Sequence, residues 1–279
     1  MLKQRVVTAL ILAAGVLSAL FFLPPAWFAL FAAGFLMIAG WEWGNLAAAS
    51  RPVALIFYGA LALIMGWLFI ESGLSQNSLQ AEKVKVVFLA GSVWWAIALL
   101  WVQGYPSSAL LWGSTPVRLV MGLLVLVPAW LALSWLVAQQ SGVWLVIVVI
   151  LTVACADIGA YFAGKAFGRH KLAPEVSPGK TVEGFIGGIT LVLVVMAVVL
   201  YFTPSQRHLW WQWLVLEFVT VLASVLGDLL ESMVKRHRGV KDSGKILPGH
   251  GGVLDRIDSL TAALPVFALV HLLLIQPLL

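Results

Sequence analysis

The sequence predicts an all-α integral membrane protein, a polytopic helical bundle of about nine transmembrane helices. Three observations predict it. Of 279 residues, 62% are hydrophobic and 10% charged, against roughly 25% charged in a soluble domain, so there is too little polar surface to cover a globule in water. The apolar runs are unbroken and close to the ~20 residues that a helix needs to cross a bilayer. They also lack period-two alternation, which sets aside a closed barrel, the other backbone that satisfies its hydrogen bonds in hydrocarbon.

The first span is read over 6–23. It follows a short basic start and could pass for a secretory leader. Its apolar run exceeds the roughly 7–15 residues of a leader core, and no small-x-small cleavage site follows before Pro24-Pro25, so it is expected to be retained. Apolar runs at 26–48 and 53–70 give the second and third spans, a tight hairpin around Arg51-Pro52. The fourth and fifth are read at 85–102 and 118–138, and the sixth at 143–163. A polar loop over 164–184 leads to the seventh, 185–202, and the eighth follows at 210–230. A second polar loop, 231–255, precedes the ninth at 256–276. Residues 1–140 form an amino-terminal hydrophobic multi-span region, and 141–279 a carboxy-terminal region that carries both polar loops. The single Cys155 excludes an internal disulfide and reads as a small buried residue in the sixth span.

Nine spans with the amino terminus inside place one set of connections in the cytoplasm. That set holds Lys3, Arg5, Arg51, Arg118, Lys165, Arg169, Lys171, Lys180, Lys235, Arg236, Arg238, Lys241, Lys245 and Arg256. The other side keeps Lys83, Lys85 and Arg207. Fourteen of the 17 basic residues on one side is a strong positive-inside bias. Both polar loops are therefore expected to face the cytoplasm, where the formal charge of +5 can meet anionic headgroups or a polyanion.

All five aspartates, Asp157, Asp228, Asp242, Asp255 and Asp258, follow residue 156. Asp228 falls near the cytoplasmic end of the eighth span, and Asp255 and Asp258 begin the ninth. Three apart on a helix, the last two share a face while Arg256 points elsewhere. Ionisable groups in or beside spans usually mark a pathway or a site. For Glu42 and Glu217, pairing with a nearby Lys or Arg at the interface is an equally good reading. Asp228, Asp255 and Asp258 beside flexible glycines suit a hard cation such as Mg²⁺, which takes a few carboxylates and keeps positions for water and phosphate. Lys235, Arg236, Arg238, Lys241 and Lys245 supply positive charge, and Gly249, Gly251 and Gly252 let backbone approach an anion closely.

Other motifs fail. "SPGKT" ends like a phosphate-binding loop, but Pro174 stands where that motif needs glycine. "GHGG" puts Leu254 where a dinucleotide fingerprint needs its third glycine. His250 has no second His or Cys at ligand spacing, which argues against zinc. No Ser-His-Asp arrangement is apparent.

The stretch "SMVKRHRGVKDSGKILPGHGGVLDRID", Ser232 to Asp258, resembles the signature of the phosphatidate cytidylyltransferase family, the CDP-diacylglycerol synthases, without departure. The likeness extends to "ADIGAYFAGKAFGRHKLAPEVSPGKTVEGFIGG" and "SVLGDLLES", while the amino-terminal half matches only as a multi-span region. The resemblance implies that CTP and phosphatidate give CDP-diacylglycerol and pyrophosphate with Mg²⁺, in a bacterial inner membrane, with the active site facing the cytoplasm. A second metal ion and a homodimer are left open, and no nucleic-acid partner is expected. It points to Asp228 and Asp255 as metal ligands, with Asp258 assisting or orienting them. Lys235, Arg236, Lys241 and Arg256 are candidates for the phosphates. Ser177, Lys180, Thr181 and Glu183 are expected to hold the nucleotide, with Asp157 organising their loop, and Ser232, Asp242, His250, Gly251 and Gly252 complete the substrate site. Two rival readings are a CTP-dependent enzyme with an isoprenoid-based acceptor and a transporter with acidic pathway residues. The concentration of polar residues at one membrane face disfavours the transporter.

Overall fold

The computed structural model describes residues 2–76 and 78–278, with side chains over 7–76 and 78–277. The side chains of Lys3 and Arg5, two of the charges behind the predicted orientation, lie outside the described residues. The chain is a helical bundle: α1 (Leu2–Phe22), α2 (Pro25–Leu46), α3 (Arg51–Glu71), α4 (Ala81–Gln103), the short α5 (Ala109–Trp112), α6 (Thr115–Val137) and α7 (Gly142–Phe167). An antiparallel hairpin of β1 (Lys171–Ala173) and β2 (Ser177–Thr181) follows, then α8 (Val182–Phe202), α9 (Trp210–Arg238) and α10 (Leu254–Val270). Among the described residues, eight helices are long and apolar enough to cross a membrane. Val7–Phe22, the part of the first expected span whose side chains are described, is a further apolar helix.

Proline starts several helices: Pro25, Pro52 and Pro116 occupy the first turns of α2, α3 and α6, where the missing N–H costs nothing and φ is already helical. α6 and α10 form the centre, with 78% and 67% of their spans buried. Each carries an internal proline, Pro128 and Pro265. Gly91 of α4 receives both bulges, since a Cβ there would stand 3.0 Å from Pro128 and 3.8 Å from Pro265. α7 and α8 approach through small residues, as membrane helices do when backbones must come close. A Cβ at Gly159 would lie 2.6 Å from the Gly187 carbonyl oxygen and 2.9 Å from Gly188. This contact fixes the two helices that carry the β hairpin between them.

The polar loops are smaller than the sequence suggests. The second was expected over 231–255, but α9 continues two turns further to Arg238. Nothing in "ESMVKRHR" breaks a helix, and the basic last turn favours its carboxy-terminal dipole. Gly239 ends it in the left-handed conformation at φ 74, with the N–H of Val240 donating to the Lys235 carbonyl at 3.0 Å. Ser232, Lys235 and Arg236 are thus helical. The first loop shrinks likewise, because α7 runs to Phe167 and "SPGKT" is strand β2. Arg118, counted as a loop charge, is buried in the first turn of α6 and donates to the Leu46 carbonyl at 3.0 Å. Glu217 is fully buried in α9 and is bonded by the Thr152 hydroxyl of α7, so neither an interface nor a basic partner accounts for it. Cys155 is a half-buried free thiol in α7.

Gly159→Ala is expected to cost about 1–3 kcal/mol through overpacking, read as a lower thermal midpoint in detergent. Gly66, with no atom within 4 Å of a Cβ, should accept alanine without loss. Equal behaviour of the two variants would contradict the α7–α8 contact.

Candidate active site

The connection between α9 and α10, residues 239–253, has its shape set by two carboxylates. Glu42, near the end of α2 and 1% exposed, accepts the backbone N–H groups of Val253 at 3.0 Å and Leu254 at 2.7 Å, and the Ser243 hydroxyl at 3.3 Å. Those amides belong to the first turn of α10, where N–H groups lack intrahelical partners and the dipole favours negative charge. Asp255 accepts the N–H of Gly252 at 2.8 Å, the N–H and hydroxyl of Ser243 at 2.9 Å each, and the Lys235 ammonium at 2.7 Å. Glycine is required where the chain wraps these oxygens. A Cβ at Gly244 or Gly252 would strike Glu42, and one at Gly251, already at φ 84, would stand 2.8 Å from Asp255. Leu247 and Gly251 form an isolated bridge that closes the Pro248–His250 turn.

On α9, Asp228, Glu231, Ser232 and Lys235 share one face at helical spacing. Ser232 donates to Asp228 at 3.2 Å, and Lys235 spans Glu231 at 3.0 Å and Asp255 at 2.7 Å. α10 approaches closely here, because a Cβ at Gly227 would strike the Asp258 carbonyl oxygen. The buried Glu231 meets the carboxyl group of Asp258. The hairpin reaches the same place: the Lys180 ammonium lies 2.6 Å from Asp228 Oδ2, and Arg236 Nε donates to the Val176 carbonyl at 3.3 Å. Four carboxyl groups (Asp228, Glu231, Asp255, Asp258) therefore gather around two ammonium groups (Lys180, Lys235).

This gathering of carboxyl groups, with Asp228 partly exposed, fits a divalent cation. Among the described residues no three His, Cys, Asp or Glu side chains stand as a ready-made cage. Mg²⁺ does not need one, since it is commonly held by one or two carboxylates together with substrate phosphates. Asp228 is open, at 30% side-chain exposure, and suits this role. The Asp255 oxygens accept four donors from the chain, so a cation there would share them with Lys235, Ser243 and Gly252.

Two members of the expected nucleotide set also bond internally. Thr181 caps α8, accepting the Gly184 N–H at 3.1 Å. Glu183 accepts the N–H groups of Arg169 at 3.0 Å and His170 at 3.2 Å and pairs with His170 Nδ1 at 2.6 Å, which closes the base of the hairpin. Ser177 is half-buried opposite Ala173. Lys241, Asp242 and Arg256 are exposed, and His250 is half-buried with Nδ1 unpartnered.

Two cavities open beside this cluster. One of about 400 Å³ is walled by Asp157, Lys165, Gly179, Lys180 and Thr181. The other, about 720 Å³, is an apolar groove running from Pro174 and Val176 of the hairpin between Trp95 and Leu99 of α4 and Leu222 and Leu226 of α9.

Comparison with known proteins gives a consistent result. Residues 3–274 match the model of the cytidylyltransferase family. The chain is 40% identical over 282 residues to a phosphatidate cytidylyltransferase of Haemophilus influenzae, covering 96% of this chain and 98% of that protein. It is 46% identical over 269 residues to one of Pseudomonas aeruginosa, covering 96% of each. A third, from Staphylococcus haemolyticus, is 48% identical over 141 residues, covering 50% of this chain and 52% of the relative.

Hydrogen bonds to a charged group contribute about 1.5–3 kcal/mol each. Glu42→Gln turns an NH₂ group towards amides that need acceptors, so it should lower the thermal midpoint and speed tryptic cleavage at Lys241 and Lys245. Unchanged cleavage would show that the loop is held without Glu42.

Proposed function

From the premise that the chain belongs to the cytidylyltransferase family, we propose that it transfers the cytidylyl group of CTP to phosphatidate, giving CDP-diacylglycerol and pyrophosphate. The observation that carries this reading is the meeting, at one end of an integral membrane bundle, of a polar cavity walled by Lys180 with an apolar groove between α4 and α9. One suits a nucleotide triphosphate and the other acyl chains. The large polar loops and most of the basic side chains share this end, which we take to face the cytoplasm of a bacterial inner membrane, where CTP is present.

A phosphatidate oxygen attacks the α-phosphorus of CTP, the new O–P bond forms, and the bond to the β-phosphate oxygen breaks with pyrophosphate taking the electron pair. A phosphate monoester has a second pKa of about 6, so the nucleophile is largely ionised at neutral pH and needs no strong general base. The difficulty is bringing two polyanions together. Lys180 is placed to exchange Asp228 for a nucleotide phosphate, while Lys235, held between Glu231 and Asp255, keeps positive charge at the floor of the site. Arg256 and Lys241, exposed at the rim, screen the approaching anions. Asp228, oriented by Ser232 and backed by Glu231 and Asp258, is the residue we assign to Mg²⁺. When bound, the ion supplies charge neutralisation for the transferring and leaving phosphates. Asp255 serves the same unit by holding Lys235 and the Gly251-Gly252 backbone in place.

Purified protein with radiolabelled CTP, dioleoylphosphatidate and Mg²⁺ should form labelled CDP-diacylglycerol, and absence of lipid-linked label would contradict the reaction. Asp228→Asn should lower turnover by about 10²–10⁴-fold, several kcal/mol of transition-state stabilisation, with the protein still folded. Asp228→Asn/Asp255→Asn should be little worse than either single change, because residues that act as one unit are not additive. Near-normal turnover of Asp228→Asn at saturating Mg²⁺ would remove the metal assignment.

With Cys155 replaced, cysteines at the exposed Pro178 and Lys241 should resist an impermeant thiol reagent in intact cells and react after lysis. Labelling from outside would reverse the orientation.

A further inference from the structure

The two cavities share a wall. Leu172 of β1, Phe185 of α8 and Val225 of α9 line both the polar cavity and the apolar groove. The β hairpin divides its length between them: residues 173–176 face the groove, and 179–181 face the polar cavity. A two-stranded hairpin has little stability of its own, so its position depends on its tethers. Its base is clasped by Glu183. Its outer part is joined to α9 at two points, one on each cavity: Lys180 to Asp228 at 2.6 Å on the polar side, and the Val176 carbonyl to Arg236 Nε at 3.3 Å on the groove side.

The first tether is made of the two groups that the proposed reaction assigns to the nucleotide phosphate and the cation. Both are partly exposed, at 26% and 30% of the side chain, so a nucleotide reaches them without unfolding the hairpin. Once they take new partners, the polar-side tether is exchanged, and the turn that walls the groove keeps its hydrogen bond to α9 through Arg236, beside the buried Val176 side chain. We infer that the hairpin is a shared wall that couples the two substrates, so that nucleotide at Lys180 and Asp228 opens the groove to lipid, with Arg236 the positioning residue that makes the wall respond as one piece. Linkage makes the effect reciprocal, and lipid in the groove tightens nucleotide by the same factor. This rests on the functional reading above. It gives Arg236 a role through the Val176 carbonyl, in place of the direct phosphate contact that its charge suggests.

The test is the affinity of the full-length protein in micelles for the α,β-methylene analogue of CTP with Mg²⁺, measured by titration calorimetry with and without dioleoylphosphatidate. Coupling between sites is typically about 5–150-fold, and dioleoylphosphatidate should tighten the analogue roughly five-fold or more, while the anionic non-substrate phosphatidylglycerol should not. In Arg236→Gln the affinity without lipid should stay near that of the unaltered protein, and the tightening by phosphatidate should disappear. Equal affinity with and without phosphatidate in the unaltered protein would overturn the coupling and leave the functional reading standing. Weakened binding of the analogue by Arg236→Gln in the absence of lipid would make Arg236 a phosphate ligand and overturn its positioning role. Failure of the unaltered protein to bind the analogue at all would sink the functional reading and the coupling together.

Discussion

Two carboxylates at the start of α10 carry the architecture of the site. Glu42 and Asp255 take the exposed N–H groups of residues 252–254 between them and share the Ser243 hydroxyl. A helix amino terminus buried near a membrane surface must find acceptors or lose stability, and here the acceptors are charged and enclosed. The glycines at 244, 251 and 252 follow from this constraint, because side chains there would occupy the space of the oxygens. The amino-terminal half thus contributes directly to the site through α2. Glu42 is itself held by its neighbours: the Trp43 indole donates to the Arg118 carbonyl at 2.6 Å, Arg118 donates to Leu46, and Gly122 makes room for the indole.

The electrostatics follow the same division of labour. In a low-dielectric surrounding, an ion pair is costly unless its remaining hydrogen bonds are satisfied. Asp255 meets that condition with three bonds from residues 243 and 252 beside its ammonium partner. Asp228 does not. It has one hydroxyl and one lysine, both on partly exposed ground. The saturated carboxylate fixes the loop, and the unsaturated one keeps capacity for a further partner. Without the first, Lys235 and the glycine loop have no fixed position from which to meet a phosphate.

Much of this was legible in the sequence, for identifiable reasons. Helix positions follow from run length, and Asp228, Lys235, Asp255 and Asp258 are brought together because the connection between two adjacent antiparallel helices is short. The role of Glu42 was not legible, since it depends on a contact 211 residues away that leaves no local pattern. Glu231 was overlooked although it shares a helical face with Asp228 and Lys235, because hydropathy ends the eighth span just where the helix continues. The strand conformation of "SPGKT" and its tether to Asp228 emerge only from the packing of α7 on α8. The structural bonds of Thr181, which caps α8, and of Glu183, which closes the hairpin, depend on the fold and leave no mark in the local sequence.

The central claim, that carboxylates anchor the loop between α9 and α10, is tested most directly by hydrogen exchange at the backbone amides of Ser243, Gly252, Val253 and Leu254. Bonded to enclosed carboxylates, they should exchange as slowly as amides inside α10, and protection at Val253 and Leu254 should be lost first in Glu42→Gln. Exchange of these four amides at the rate of the exposed Lys241 and Lys245 amides in the unaltered protein would contradict the account.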